Sequence, residues 1–262
     1  MSSVTKNKKW FRQGAGNVVK EFLARNGALV GLILLCIILA ISTPAFLTGA
    51  NLLNVGIQAS TIAILAFGET FAIVSAGIDL SVGAVAAFSS MVVAYTGSSM
   101  GLPAWLTILI GLAAGAGFGA LSGMANAFLK LPSFIATLAT MSIARGLTLV
   151  ISDGRPINTS GLVNFFGSTL AGIPIPIITM IVMGIVAAVI LNFTSMGRSV
   201  YAVGGNMEAS RLSGIHVHKT QIMVFVLSGI FAAVAGLVIA GRLHSVQPQA
   251  ANGYEMDAIA ST

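Results

Sequence analysis

Glu69, Asp79 and Arg145 are three ionisable side chains within or at the edges of long apolar runs. A charge at the centre of a bilayer costs about 2.5–3.5 kcal/mol on insertion scales, so such residues pair with each other or face a polar cavity. They suit either an internal ion pair or hydrogen-bonded lock, or the lining of a solute path. Asp79 lies in Gly77-Ile78-Asp79-Leu80-Ser81-Val82-Gly83. There Gly77 is expected to end one helix, and Asp79 or Ser81 to cap the next. A helix broken at membrane depth is tolerated only where it lines protein or a cavity, and its free backbone groups are expected to bind a polar solute. Gln58, Glu69, Asp79, Ser81 and Arg145 form the candidate substrate path.

Other chemistries lack their residues. No G-x-x-x-x-G-K-[ST] phosphate loop and no H-E-x-x-H occurs, so no catalytic residue and no cofactor is assigned to this chain. His216, His218 and His244 fall outside the apolar runs, where an intramembrane Ser–His hydrolase would need one at depth. His216 and His218 read as solvated loop histidines and not as a metal site. Gly111, Gly115, Gly119 and Gly123 repeat every four residues, with Gly117 beside them. Gly115-x-Gly117-x-x-Ala120 formally matches a dinucleotide fingerprint, but the strand before it and the acidic residue after it are missing. The stripe predicts close helix packing.

These residues must be positioned by membrane helices. The chain is 56% hydrophobic and only 8% charged, against about 25% charged in soluble domains, so lipid is its main solvent. The runs are long and continuous, which excludes ten-residue alternating barrel strands. Seven helical spans are expected, at 28–47, 54–76, 82–97, 104–129, 134–151, 174–194 and 220–241. The class is an all-α polytopic membrane protein. The single cysteine, Cys36, reads as a small packing residue.

The net charge of +6 does not point to nucleic acid, because of where the charges lie. Lys6, Lys8, Lys9, Arg12, Lys20 and Arg25 all precede the first span. With the N-terminus in the cytoplasm, Lys130, Arg198, Arg211 and Lys219 join them there. Arg155 and Arg242 are external, which satisfies the positive-inside bias. Residues 1–27 then form a basic cytoplasmic tail and 28–262 the membrane domain. No A-x-A cleavage site follows the first apolar run, so it reads as a retained helix and not a signal peptide.

Met196 to Thr220 is the longest polar stretch outside the tail. Asn206 is expected to cap a helix of about seven residues, with Glu208 in its first turn and Gly214 closing it. Gly197 and Gly204-Gly205 are expected to turn the chain before it, and Thr220 to cap the next span. An ordinary loop, or one held by anionic lipid, is the plainer reading. A capped helix between glycines favours a docking surface.

Several motifs resemble the ribose-type sugar permeases of bacterial ABC importers. They are Phe46-Leu47-Thr48 with Asn51-Leu52-Leu53-Asn54, the segment from Gly77 to Gly83, and Phe134-Ile135-Ala136-Thr137-Leu138 with Ala144-Arg145-Gly146-Leu147. Gly154-Arg155-Pro156-Ile157 and Gly197-Arg198-x-x-Tyr201-Ala202-Val203-Gly204-Gly205-Asn206 follow in family order. The resemblance implies a type II-like permease of the bacterial inner membrane, paired with a second permease copy. A cytoplasmic ABC ATPase carrying ATP and Mg would dock on 196–220, with Arg198, Glu208, Arg211 and Gly214 at the contact. An extracytoplasmic binding protein would deliver a monosaccharide or polyol. Family members continue from Gly253-Tyr254-Glu255-Met256-Asp257 into a glycine-rich stretch and further helices, so the chain reads as C-terminally truncated. A branched-chain amino acid permease, a carrier driven by ion gradients and a non-transporting scaffold are the rival readings.

Overall fold

The computed structural model describes residues 27–159 and 161–262, so the basic tail lies outside the described residues. The chain divides into two units, 1–54 and 55–262. In the first, α1 (Gly27–Ser42) stops immediately before Thr43-Pro44, where the residue preceding proline is driven out of helical geometry. Thr48 Oγ1 then accepts from the Asn51 amide at 3.4 Å, and Asn51 Nδ2 donates to the Phe46 carbonyl at 2.8 Å. This local cap starts α2 (Gly49–Val74), five residues before the expected 54.

From residue 55 onward the chain continues along α2 and then forms α3 (Val82–Ser98), α4 (Ala104–Phe128), α5 (Ser133–Ser152), the short α6 (Leu162–Phe165) and α7 (Ile175–Phe193). α8 (Ser195–Gly205), α9 (Met207–Leu212), α10 (Val217–Leu243) and α11 (Tyr254–Ala260) follow. Five helices, α2, α4, α5, α7 and α10, are long and apolar enough to cross a membrane, while α1 and α3 are shorter apolar helices. The all-α reading gains two minimal antiparallel pairings. β1 (Ile157–Asn158) pairs with β4 (Ser245–Val246), and β2 (Thr169–Leu170) pairs with β3 (Ile173–Pro174).

α10 is the axis of the second unit. Two thirds of its most apolar stretch is buried (67%), against 22% for α4. It packs on α3 and α4, while α5 closes on α3 and α4 from the other side. Phe71 on α2 meets Phe231 on α10 with ring centroids 5.8 Å apart. Elsewhere the contacts are made by small residues. A Cβ on Gly115 would lie 2.4 Å from the Gly229 carbonyl oxygen, one on Gly119 2.0 Å from that of Phe225, and one on Gly123 2.7 Å from Ile222 Cα. On Gly111 it would meet a Val93 methyl carbon on α3 at 2.3 Å. The stripe thus joins α4 to α10 over most of its length and to α3 at its start. Lipid tails are as apolar as leucine, so intimate van der Waals contact takes over the role that water exclusion plays in soluble cores.

Three local readings are corrected. The left-handed residue that ends α2 is Ala76 (φ 62°), not Gly77. Its amide donates to the Ile73 carbonyl at 2.9 Å and that of Gly77 to Ala72 at 2.8 Å, a complete Schellman closure. Gly197 and Gly204 lie inside α8 and serve approach, since a Cβ on Gly204 would lie within bonding distance of the Val74 carbonyl. Thr220 is not a cap: α10 begins at Val217, and the Thr220 hydroxyl donates back to the His216 carbonyl at 3.2 Å. That start also carries His218 into the helix.

Gly119→Leu should separate α4 from α10 and lower the thermal unfolding midpoint in detergent. Gly117→Leu should leave it unchanged, because a Cβ at Gly117 meets nothing within 4 Å. Equal midpoints for the two variants would exclude the stripe as a packing surface.

Candidate functional site

Between Val74 and Val82 the helical ladder is broken, and the backbone donors of residues 78–81 need acceptors. Each finds a side chain. The Ile78 amide donates to Ser133 Oγ at 3.0 Å and the Asp79 amide to Glu69 Oε1 at 2.9 Å. The Leu80 amide donates to Thr137 Oγ1 at 3.1 Å and the Ser81 amide to Asp79 Oδ1 at 2.9 Å. The expectation of free backbone groups for a solute is therefore overturned at these four amides.

Asp79 is 1% exposed and Glu69 fully buried. Asp79 Oδ1 also accepts from Ser81 Oγ at 2.6 Å, and its Oδ2 from Ser228 Oγ on α10 at 2.7 Å. Asp79 thus has hydrogen bonds on both oxygens and ties α10 to the segment that joins α2 and α3. Glu69 Oε2 has no hydrogen-bond partner. Neither Asp79 nor Ser81 caps α3 as expected. Ser81 occupies the N-cap position in helical geometry with no side-chain cap bond, and Asp79 serves the Ser81 amide instead.

Of the candidate path residues, the structure brings Glu69, Asp79 and Ser81 together. Gln58 is exposed on α2, away from them. Arg145, on α5, donates from Nη1 to the Ala250 carbonyl at 2.7 Å, and the carboxylate whose charge acts on it is Glu255. Ser133, Thr137, Ser228 and Glu255 were not picked out from the sequence as site residues. The available signal was hydroxyls and a carboxylate recurring inside or beside apolar helices.

At one end of the bundle stands the polar segment. Asn206 Oδ1 accepts from the Ala209 amide at 2.9 Å, which caps α9. Gly214 (φ 82°) closes it, with its amide on the Arg211 carbonyl at 3.1 Å and that of Ile215 on Ser210 at 3.0 Å. α9 has six residues, and an eleven-residue helix, α8, precedes it where a turn was expected. Arg211 forks onto Glu208 with bonds of 3.2 and 2.5 Å. That hydrogen bond, then its charge, holds the Glu208 carboxyl below the usual range, and Glu208 raises Arg211 in return. Both side chains are about two thirds exposed, so the pair fixes orientation and adds little stability. Arg198 is exposed on α8. A groove of about 440 Å³ runs beside α9, lined among others by Asn126, Lys130, Pro132, Arg211 and His218. Among the described residues no three His, Cys, Asp or Glu gather as a metal site.

Residues 51–262 match the family described as branched-chain amino acid transport system / permease component. The chain is 43% identical over 249 residues to the ribose import permease of Haemophilus influenzae, covering 93% of this chain and 77% of that protein. It is 44% identical over 239 residues to the ribose import permease of Bacillus subtilis, covering 90% and 74%. It is 38% identical over 232 residues to the D-allose transport system permease of Escherichia coli, covering 87% and 71%. No solved structure matches the chain significantly.

Thr137→Val keeps the shape of the side chain but leaves the Leu80 amide without its acceptor. It should destabilise the protein by about 1–2 kcal/mol in a detergent unfolding titration. Thr70→Val is the control, since that hydroxyl bonds only the Ala66 carbonyl of its own helix. Equal costs would exclude a special role for the Thr137 hydroxyl.

Proposed function

We propose a function from one premise: the chain belongs to the branched-chain amino acid transport system / permease component family, within its ribose-type sugar permeases. It is a multi-pass membrane subunit of a bacterial importer that carries a monosaccharide or related polyol across the inner membrane. The sugar names of relatives matched over about nine tenths of this chain favour that substrate class over branched-chain amino acids. The chain is a transport subunit and not an enzyme. In this reading ATP and Mg are bound and hydrolysed on a separate cytoplasmic ATPase. A binding protein delivers the sugar from outside, a second permease copy completes the path, and the N-terminus is cytoplasmic.

The observation that carries the coupling role is the form of α9. It is a short helix closed at both ends, standing between the membrane helices α7 and α10. Leu212 is 79% exposed on it, beside the oriented Arg211. An apolar knob with a fixed charge next to it suits a partner's groove. α9 packs on α8, and Gly204 of α8 abuts the Val74 carbonyl at the end of α2. Val74 leads directly into the segment held by Glu69, Asp79 and Ser228. A push on α9 would therefore reach the broken helix through backbone contact, and the break would respond as a unit. Gln58, Glu69, Asp79, Ser81 and Arg145 remain the proposed path residues. Asp79 and Ser81 act by setting the position of the break and not by offering free amides.

Arg211→Glu should leave membrane insertion intact and ATP hydrolysis running, while ATP-driven D-ribose uptake into proteoliposomes falls at least about tenfold, a loss of about 1.4 kcal/mol of coupling. Normal uptake by this variant would sink the coupling assignment. Uptake by the unaltered protein without any ATPase would favour a gradient-driven carrier instead.

A further inference from the structure

The half-buried Arg145 and the buried Glu255 are charges that the broken helix does not use. Arg145 spends one nitrogen on the Ala250 carbonyl, 105 positions away in the chain. Its Nε and Nη2 are sealed from solvent with no hydrogen-bond partner. Glu255, in the first turn of α11, is 7% exposed, and its Oε2 is likewise sealed and unpartnered. The two side chains make no ion pair within 4.0 Å; among the described residues only Arg211 and Glu208 do so. Gly83, at the start of α3, closes the other side. A Cβ there would lie 2.6 Å from Glu255 Oε2 and 2.5 Å from the Ala251 carbonyl oxygen. The carboxylate therefore sits in space that only the absence of a side chain provides.

Leaving such groups unpaired is costly. A direct ion pair would remove that cost, yet the arrangement holds two guanidinium nitrogens apart from one carboxylate oxygen. The pair is neutral overall. It disfavours a net anion through Glu255 and a net cation through Arg145, and suits a solute that both donates and accepts. A hydroxyl does both, with one donor and two acceptor positions. Neighbouring hydroxyls on one ring would give a hydrogen to the carboxylate and take hydrogens from the guanidinium fork.

We propose that Arg145 and Glu255 together form a hydroxyl-recognising subsite of the permease path, taking adjacent hydroxyls of a neutral monosaccharide. The inference rests on the importer reading above and assigns it a specific pair of side chains. α11 and the chain leading to it, held by Arg145 through Ala250 and seated on Gly83, carry half of the subsite and must shift to admit solute. A zwitterionic amino acid would offer one charge to each residue, so L-leucine is the discriminating probe.

The test uses the full transporter in proteoliposomes, with its ATPase and binding protein. ATP-driven uptake of D-ribose is compared with that of 2-deoxy-D-ribose and 5-deoxy-D-ribose. Discrimination by the binding protein is common to all permease variants and cancels in the ratios. Glu255→Gln and Arg145→Lys should each shrink at least one ribose-to-deoxyribose ratio by about tenfold. Lower rates with unchanged ratios would overturn the subsite and leave a water-bridged structural pair. Uptake of L-leucine with no monosaccharide taken up would overturn the importer reading along with it. D-Ribose should also slow amide hydrogen exchange across 250–255 in the unaltered transporter, a measurement that needs no variant to fold. Unchanged exchange there during active uptake would count against the subsite alone.

Discussion

Four consecutive amides, from Ile78 to Ser81, leave the helical ladder between α2 and α3 and find their acceptors on Ser133, Glu69, Thr137 and Asp79. A buried donor left unpaired costs about 1–3 kcal/mol. The Asp79 and Ser81 amides are buried and that of Leu80 partly so, so the segment carries a sizeable share of the roughly 5–15 kcal/mol of a typical domain. The surrounding helices are arranged to meet that demand. α5 must present Ser133 and Thr137 one turn apart on a single face. α2 must bring Glu69 back over its own end. Asp79, once it has satisfied Ser81, needs donors of its own, and Ser228 supplies one from α10. A break in one helix thus constrains three others.

The glycine stripe answers the same demand from the packing side. Ser228 reaches Asp79 only if α10 lies deep among its neighbours. It does so because Gly115, Gly119 and Gly123 let its backbone approach α4, and Gly68 lets α2 approach Phe231 and Ser228. Polar satisfaction and small-residue contact hold the same helices at the same spacing. At the C-terminal end of the same helix, Gly204 brings the backbone of α8 against Val74. The polar segment is therefore set directly on the end of the helix whose interruption defines the site.

Composition and run length made the helical membrane class and the seven apolar helices readable in the sequence, because lipid demands uninterrupted apolar spans. Caps were readable where a residue acts on its own turn, Asn206 through its side chain and Gly214 through its left-handed backbone. Readings failed where the partner is distant. Nothing near Asp79 in sequence announces Ser228 or Glu69, so the amides of the break read as free. Gly77 was given the left-handed turn because glycine tolerates it best, yet the hydrogen-bond closure placed Ala76 there. Gly197 and Gly204 read as hinges because a glycine needed for flexibility and one needed for close contact look identical until the neighbour is known. Glu255 passed unnoticed as a short-helix carboxylate, since its burial depends on Gly83 and Arg145, both far away in the chain.

The distances along the chain in this network set an order of events during biosynthesis. When α2 and α3 first enter the bilayer, the amides of Ile78 and Leu80 lack acceptors that are synthesised 55 and 57 residues later. The second oxygen of Asp79 waits for a donor 149 residues downstream. Ile157 and Asn158 likewise wait for Ser245 and Val246. Until α10 is made, these groups lack the partners they have in the folded chain and must find polar company elsewhere. A chain synthesised only as far as residue 227 would have the break in place but not the Ser228 hydroxyl that ties α10 to it.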